Sequence, residues 1–489
     1  MTTNEELVYC PAVELIERFK SREVSPVEVL QAQIARIEEY NDRVNAITYT
    51  HFDEALIAAR ESERRYRERT ARPLEGITVG CKDEHGIAGW TVTAGSISLK
   101  DNVVTRNHPL VNQLLDDGAV LHIQTTAPEM YFHTATWSLL WGVTRNPWNL
   151  ACTPGGSSGG SGAALAAGFT TLATGSDMGG SIRIPSSLGG LYGFKPPYAR
   201  NADDPYGSDA QGSVSGPLAR NFDDLVLFQN SLTARPRTSF LAVRPKLDYP
   251  ATYPGIAGWR IAYDPDFLGL TFDGDYRRNT EAALKTLEDA GATVDEVRLG
   301  WKFEEVLDAA VKSLLSSSVV GEMAPDPEDP TAWTSYALRY MELMRTKAGP
   351  RQLGEAIASA VDHYASLVEH VYGQGYRALV VPTLASTYVA ADNDPTKDRF
   401  LIDGEPTGTS VHWVCTFPFN LLGRCPVVNV PTGVAGNGVP TGIQIVADVY
   451  EDLDAFQIAS AYSQRAPRFF EGDLLPDFRS VAPEVEVAP

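Results

Sequence analysis

The chain has 489 residues, which is enough for one large α/β domain or for three average domains. Its hydrophobic content of 43% and charged content of 21% are ordinary for a globular protein. The formal net charge of -21 argues against nucleic acid and against anionic membrane surfaces as partners.

The cysteines and the N-terminus predict a cytoplasmic protein. Five cysteines are spread along the chain without a CxxC pair, which is typical of a reducing compartment without disulfides or structural zinc. No HExxH or clustered His/Cys pattern indicates a metal, and we expect no cofactor. The N-terminus is acidic where a signal peptide needs positive charge, and no apolar stretch approaches the length of a membrane helix.

The first 70 residues are predicted to be helical. Apolar residues from Ala12 to Arg69 recur at helical spacing, and another helix is expected over about 52–67. Ser25 and Pro26 predict a helix start, because serine caps the first turn and proline fits the first helical position.

A lysine follows the first predicted strand. Ile77 to Cys81 predicts a short buried strand that ends at Lys82. Small apolar neighbours would desolvate the amine and lower its pKa, so that it could act as a base; the alternative is a solvated edge charge. His85 could tune this lysine or face solvent, and we expect it to face solvent.

Residues 119–154 predict a strand over 119–124 and then an aromatic and apolar stretch over 130–140. That stretch could line an acyl pocket or belong to the ordinary core. Asn149 to Pro154 is rich in turn residues.

Two glycine-serine clusters follow, over 155–162 and 179–181. Glycines this dense mark places where backbone turns sharply or approaches another group closely. The apolar residues 163–174 between them predict a buried helix leading into a strand, which a flexible linker would lack. A phosphate-binding P-loop would need a lysine after the glycines, and none is present.

The first cluster also fits the G-x-S-x-G nucleophile elbow of α/β-hydrolases, with Ser158 at its centre. That motif requires a preceding strand, whereas the residues before it are turn-rich. In this interpretation His363, His370 or His412 would supply the base.

The remaining elements alternate between strands and helices. We expect a strand and turn over 258–267, a helix over 280–291, a strand over 293–297, and helices over 303–371 with a turn-rich interruption near 325–330. A core strand is predicted over 376–383, and a flexible tail over 480–489.

The two clusters together resemble the amidase signature family, whose signature is GGSSGGS followed by D-x-GGSIR-x-P. Both halves are present, at 155–161 and 177–185, and Ser157 and Ser181 are 24 residues apart as that pattern requires. The segment 73–83 resembles the family's PLxGIPVxVKDN element. The resemblance extends over about 13–462.

The resemblance implies an α/β fold, the amidase signature fold, with a central mixed β-sheet of many strands covered by helices on both faces. It implies one domain over 1–489, with an N-terminal helical region (1–70), an α/β core (71–475) and a variable helical substrate entrance (about 303–371).

The resemblance also implies the catalytic roles. Ser181 is the expected nucleophile, Lys82 the base, and Ser157 the relay between them, preceded by a cis peptide. Consecutive N–H groups from Met178, Gly179, Gly180 and Ser181 are expected to form the oxyanion hole. The expected supporting residues are Asp177, Arg183 and Ser158. Asp177 is expected to orient the loop. Arg183 is either a buried structural cation or an anchor for a substrate carboxylate, and we expect the structural role.

The chain departs from the family at three places. The lysine is followed by Asp83, Glu84 and His85, where the family has Asp-Asn-Ile. The family's Lys-Thr-Asn is replaced by Gln124-Thr125-Thr126. The segment 198–206 has no counterpart in the family and could shape a pocket rim.

The implied function is hydrolysis of the C–N bond in small amides or related hydrazides and carbamates (urethanes), by a monomer or homodimer. The alternative is the amidotransferase subunit of a tRNA-dependent transamidase, and a non-catalytic binding protein is a third interpretation. Against the transamidase, Ile184 stands where that subunit usually has glutamine.

Overall fold

The computed structural model of the chain describes residues 4–203, 212–233, 243–317 and 329–479. The predicted tail over 480–489 lies outside the described residues, as does the end of the 198–206 segment.

The N-terminal region is helical, with one exception. Its helices are α1 (Asn4–Tyr9), α2 (Ala12–Ser21), α3 (Pro26–Val44) and α4 (Phe52–Glu68). The predicted start of α3 is confirmed, because the Ser25 side chain accepts a hydrogen bond from the Glu28 backbone N–H at 3.2 Å, and Glu28 accepts from the Ser25 N–H at 2.8 Å. The all-helical prediction is wrong over Ile47–Thr50, which forms strand β1 and pairs antiparallel with β3 (Val120–Thr125).

A mixed sheet of 11 strands forms the centre of the fold. Besides β1 and β3 it contains β2 (Thr78–Lys82), β6 (Leu172–Asp177), β7 (Tyr192–Lys195), β8 (Val214–Ala219), β9 (Arg260–Tyr263), β10 (Thr293–Glu296), β11 (Ala378–Pro382), β14 (Val427–Val434) and β15 (Pro440–Ala447). The strand order across the sheet is β1-β3-β2-β6-β8-β7-β14-β15-β11-β9-β10. Two separate hairpins are formed by β4 (Trp137–Ser138) with β5 (Gly142–Val143), and by β12 (Leu401–Ile402) with β13 (Glu405–Pro406). The pairs β3-β2-β6 and β11-β9-β10 are parallel, whereas the edge pair β1-β3 and the pairs in the middle of the sheet are antiparallel.

The remaining helices cover this sheet. They are α5 (Pro109–Asp116), α6 (Gly159–Ala166), α7 (Arg183–Gly189), α8 (Phe222–Leu232), α9 (Gly274–Asp289), α10 (Phe303–Ser317), α11 (Ser335–Lys347), α12 (Pro350–His370), α13 (Pro418–Leu421) and α14 (Asp452–Ser463). The helix predicted after the first glycine-serine cluster therefore begins inside that cluster, at Gly159. Short 3₁₀ turns lie at Ile97–Leu99, Glu129–Tyr131, Phe267–Gly269, Pro330–Ala332 and Tyr372–Gln374.

Both faces of the sheet are buried, as the alternation along β11 shows. Ala378 and Val380 belong to one large hydrophobic cluster, together with residues of α2, α8 and α14. Leu379 and Val381 point the other way, into a second cluster with residues of α7, α9 and α10. Successive strand side chains face opposite sides, so a strand that is apolar at every position is covered on both. The predicted α/β architecture is confirmed.

The glycine-serine clusters lie where the chain passes between sheet and helix. β2 and β6 are parallel neighbours, so their carboxyl ends, Lys82 and Asp177, reach the same edge of the sheet. The first cluster leads into α6, and the second connects β6 to α7. Crevices outside the carboxyl ends of strands are the common ligand sites of α/β sheets.

Candidate active site

Lys82 is fully buried at the end of β2, and its amine contacts the first serine cluster. Its Nζ donates to Ser157 Oγ at 2.8 Å and to Ser176 Oγ at 2.7 Å. Burial lowers the pKa of Lys82, while the nearby carboxylate of Glu84 opposes that change. The interpretation of this lysine as a solvated edge charge is wrong, because none of its side chain reaches the surface.

The backbone around Ser157 is tightly enclosed. The Gly156–Ser157 peptide is cis, as the resemblance predicted. A Cβ at Gly156 would lie 2.7 Å from the carbonyl oxygen of His133, so no larger residue fits there. Ser157 itself is 2% exposed. The glycines of this cluster thus bring the serine close to Lys82.

Ser181 lies beside this pair, at the more open end of the site. Its carbonyl oxygen accepts a hydrogen bond from the Ser158 backbone N–H at 3.3 Å, which joins the two clusters. Ser181, Met178 and Gly179 are half-buried, whereas Lys82 and Ser157 are buried. A substrate can therefore approach Ser181 more readily than Ser157.

The Asp177 carboxylate holds the backbone of the second cluster. Its carboxylate accepts hydrogen bonds from the Gly180 N–H at 2.9 Å and the Ile182 N–H at 3.2 Å. Burial acts to raise the pKa of Asp177, but the Arg183 guanidinium outweighs it, so the pKa lies below its usual range. Arg183 is fully buried and also donates to Thr416, Gln444 and Asn420. These contacts favour the structural role for Arg183 over the substrate anchor.

One predicted oxyanion donor is already engaged. The Gly180 N–H donates to Asp177 Oδ1 at 2.9 Å, so the prediction is wrong for Gly180, and the N–H groups of Met178, Gly179 and Ser181 stay a prediction. For these three, no acceptor is found within the described residues. Thr416 fixes the same turn, because its hydroxyl donates to the Gly179 carbonyl oxygen at 2.6 Å.

The expectation for His85 is wrong: it is 1% exposed and faces the interior. Its ring contacts Thr174 Oγ1 at 2.8 Å and Ser215 Oγ at 3.1 Å. Burial lowers its pKa to about 3, so the imidazole is neutral at ordinary pH. The same Thr174 hydroxyl also accepts from the Lys82 backbone N–H at 3.1 Å. His85 is therefore connected through Thr174 to the strand that ends at the lysine.

Glu84 was noted in the sequence only as a departure, yet it contacts the lysine directly. Its Oε2 lies 2.8 Å from Lys82 Nζ and accepts from Ser176 Oγ at 2.6 Å. Tyr131, predicted only as part of the aromatic stretch over 130–140, also contacts the lysine. Its ring centroid lies 4.9 Å from Lys82 Nζ, and its hydroxyl donates to the Asp83 carbonyl oxygen at 3.0 Å.

The rest of the aromatic stretch packs against α11. Phe132 stacks on Tyr340 at 4.1 Å, and Trp137 meets the Tyr336 ring at 4.8 Å. These contacts favour ordinary core packing over an acyl pocket for most of the 130–140 segment, with Tyr131 as the exception.

The nucleophile-elbow interpretation finds no support in the geometry. Ser158 Oγ donates to the Ser176 carbonyl oxygen at 3.3 Å, and the residues before Ser158 form turns. The candidate bases have other partners: His412 contacts Glu304 at 3.0 Å, and His363 and His370 contact backbone carbonyls of their own helix.

A small cavity opens beside the second cluster. It is lined by Met178, Gly212, Ala310, Ser313, Leu314, Asn420 and Leu421. Three of these residues come from α10, within the segment expected to form the substrate entrance. A larger cavity of about 810 Å³ is lined by residues of α2, α8 and α14 and contains none of the predicted site residues.

The described part of the 198–206 segment is well packed. Arg200 forms an ion pair with Asp452 at 2.8 Å, and Asp203 accepts from the Ser215 backbone N–H at 3.0 Å. The segment therefore touches the same Ser215 that contacts His85.

Three further features concern chemistry outside the cluster. All five cysteines, each within the described ranges, are buried free thiols. Among the described residues, no group of three His, Cys, Asp or Glu side chains is arranged to hold a metal ion. The helices of the described ranges include none with the length and apolar character needed to cross a membrane.

The family model described as Amidase matches residues 28–454. A glutamyl-tRNA(Gln) amidotransferase subunit from Geobacter sp. (strain M21) is 30% identical over 471 residues, covering 92% of this chain and 95% of the relative. A 6-aminohexanoate-cyclic-dimer hydrolase from Paenarthrobacter ureafaciens is 28% identical over 479 residues, covering 92% and 94%.

A solved structure shares the fold over nearly its whole length. A bacterial aryl acylamidase of the amidase signature enzymes superposes with a TM-score of 0.84 at 26% identity, covering 94% of this chain and 96% of that one.

Proposed function

Because the chain belongs to the amidase signature family, we propose that it is a serine hydrolase that cleaves the C–N bond of small amides or related acyl compounds. Lys82, Ser157 and Ser181 would carry the reaction. The observation that supports this most directly is the 2.8 Å contact between the buried Lys82 amine and Ser157 Oγ, beside the more open Ser181.

The reaction we propose begins with attack by Ser181 Oγ on the carbonyl carbon of the substrate. A new C–O bond forms, the π electron pair moves to the carbonyl oxygen, and the hydroxyl proton passes through Ser157 to a neutral Lys82. The C–N bond then breaks as the proton returns to the leaving nitrogen. Water repeats the sequence on the acyl-enzyme and releases the acid.

The backbone would stabilise the negative charge that develops on the carbonyl oxygen. The N–H groups of Met178, Gly179 and Ser181 are the donors in this proposal, because Gly180 is bound to Asp177. Loss of one such donor typically lowers the rate by about 10²–10³-fold.

The substrate side of the proposal rests on two supports. The hydrolase relative and the aryl acylamidase neighbour act, by their names, on amide-type compounds. The small cavity beside Met178 is bounded by α10, which we propose forms part of the substrate entrance. Aryl or alkyl amides, hydrazides and carbamates are all within this class.

A second candidate is the amidotransferase subunit of a tRNA-dependent transamidase, which the 30% identical relative supports. Two local sequences favour the hydrolase. Ile184 follows the signature arginine where that subunit usually has glutamine, and 195–200 reads KPPYAR where it usually has KPTYGxVSRxG. The Ile184 side chain is fully buried and packs in the hydrophobic core.

The experiment that tests the proposal is turnover by the purified chain alone, against a primary amide, an anilide, an aryl hydrazide and an aryl carbamate. We expect at least one to be cleaved, and the Ser181→Ala variant to lose that turnover. No cleavage of the panel by the chain alone, together with activity restored by transamidase partner subunits, would establish the second candidate instead.

Three broader predictions belong to the same proposal. The chain would form a single domain, since one sheet includes strands from β1 to β15. It would act as a monomer or homodimer. It would be cytoplasmic, a location that the sparse, unpaired cysteines favour.

A further inference from the structure

Three oxygen atoms surround the Lys82 amine, and one of them belongs to a carboxylate. Ser157 Oγ, Ser176 Oγ and Glu84 Oε2 all lie within 2.7–2.8 Å of its Nζ. An ammonium has three N–H donors, and each of these atoms can take one. A neutral amine has two N–H groups, which suffice for Ser176 and Glu84, and its lone pair can accept from the Ser157 hydroxyl, so the same three contacts serve both charge states.

The third acceptor is a carboxylate, and it is held in place. Glu84 Oε2 also accepts from Ser176 Oγ at 2.6 Å, so Ser176 bridges the carboxylate and the lysine. The Glu84 side chain is 28% exposed, whereas Lys82 is fully buried. The carboxylate thus stands between the buried amine and the more open surroundings.

We propose that Glu84 is a positioning residue for the proposed amide hydrolysis: its carboxylate orients the Lys82 amine and stabilises the positive charge that Lys82 gains as Ser181 attacks. The inference rests on the proposed function. Glu84 acts through Lys82 and gains no proton itself.

The chemical consequence has two parts that oppose each other. In the free enzyme the carboxylate favours the ammonium, so one proton must leave Lys82 for solvent before the amine can act as a base. Once neutral, however, Lys82 is a stronger base because its protonated form is stabilised, and the rate of general base catalysis rises with the strength of the base. Glu84 therefore moves activity to higher pH and increases the maximal rate.

The other charged and titratable groups around Lys82 do not duplicate this role. Asp83 is directed to Thr93, to whose backbone N–H it is bound at 2.9 Å, and Asp177 is paired with Arg183. His85 is neutral, and Tyr131 presents its ring face to the amine. Burial acts to raise the pKa of Glu84, but the positive charge and hydrogen bond of Lys82 outweigh it and lower the pKa to about 2.

The test compares pH–rate profiles of kcat and kcat/KM for the wild-type chain and Glu84→Gln, on the best substrate of the panel. We expect the acidic limb of the variant to move to lower pH by about one unit or more, because the opposite charge is gone. We also expect its high-pH plateau to fall about tenfold, because the base is weaker. Glu84→Asn, the amide that the family pattern carries here, should behave in the same way.

The matched control is Glu54→Gln, the same change at an exposed carboxylate on α4 that contacts Trp90. It should leave both limbs in place. An acidic limb unchanged in Glu84→Gln, with normal folding, would overturn the inference even if Ser181→Ala confirms the hydrolase. Turnover that survives Ser181→Ala would instead overturn the proposed function.

If both Glu84 variants fail to fold, the charge of Lys82 can be measured in the wild-type chain by NMR of ¹³Cε-labelled lysine, assigned by comparison with Lys82→Arg. We expect Lys82 to change from ammonium to neutral amine at the midpoint of the acidic limb of the wild-type kcat/KM profile. A Lys82 that keeps one charge state through that midpoint would contradict the inference.

Discussion

Arg183 and Asp177 form a buried two-point ion pair directly behind the second glycine-serine cluster. Arg183 Nε donates to Asp177 Oδ2 at 2.9 Å and Nη2 donates to Oδ1 at 2.8 Å, and both side chains are fully buried. The same carboxylate holds the Gly180 and Ile182 N–H groups. The ion pair therefore fixes the backbone on both sides of Ser181.

Replacing Arg183 by methionine should unfold or strongly destabilise the chain. Removing one partner leaves Asp177 as an unpaired buried charge, which costs about 3–5 kcal/mol. Denaturant unfolding measures this loss. The control is Arg260→Met, which breaks an exposed pair with Asp295 and should cost at most about 1 kcal/mol. Unchanged stability with a raised KM in Arg183→Met would show that Arg183 binds substrate.

The two glycines of the second cluster should differ sharply in their tolerance of alanine. Gly180 has φ +124°, and a Cβ there would overlap the Thr416 hydroxyl, so Gly180→Ala should lose more than about 1 kcal/mol of stability. A Cβ at Gly179 meets no atom within 4 Å, so Gly179→Ala should fold normally. Thermal unfolding of both variants tests this. Equal stability of the two would contradict the described turn.

Histidine should not be needed for the chemistry. Lys82→Ala should abolish turnover, whereas His412→Ala should keep most of it, because the His412 ring is bound to Glu304 and Thr409. His363→Ala and His370→Ala should likewise remain active. Steady-state rates on one substrate decide the matter. Complete loss of turnover in a folded histidine variant would instead favour the α/β-hydrolase interpretation, in which a histidine is the base.

Buried neutral histidines should make the fold less stable in mild acid. Burial lowers the pKa of His122 to about 4, below its ordinary value of about 6.5. Above pH 6.5 the side chain is neutral in both states. Between pH 6.5 and 4 only the unfolded chain binds the proton, so stability falls by about 1.4 kcal/mol per pH unit for this residue.

Urea unfolding of wild type and His122→Gln between pH 7.5 and 5 measures this contribution. As the pH falls, the free energy of unfolding should decrease more steeply for the wild type than for the variant. The difference between the two slopes should correspond to about one additional proton bound on unfolding. Comparing the two removes the opposite effect of Asp83, whose pKa burial raises to about 6. Equal slopes would show that His122 is not buried as a neutral group.

Local sequence predicted those parts of the site that depend on short motifs. The strand ending at Lys82, the two serine clusters and the capped start of α3 follow from glycine, serine and hydrophobic patterns over fewer than 35 residues. These patterns carry their own backbone requirements, such as the close approach at Gly156. The residues that belong together could therefore be recognised before their contacts were known.

The missed features depend on partners far away in the chain. His85 is buried because Thr174 and Ser215 surround it, 89 and 130 positions later. Strand β1 has only four residues, and its pairing with β3 decides its structure more than its own propensity. The loss of the Gly180 donor follows from the turn geometry at Asp177. A residue pattern alone contains none of this information.

The most direct test of the central claim is to locate the acyl group in the covalent intermediate. The chain is quenched in acid during turnover of a slowly deacylated aryl amide, digested with trypsin and analysed by fragmentation mass spectrometry. One tryptic peptide, 146–183, contains Ser157, Ser158 and Ser181, so fragment masses must distinguish them. The account predicts the acyl group on Ser181. An acyl group on Ser158 or Ser157 instead would contradict it.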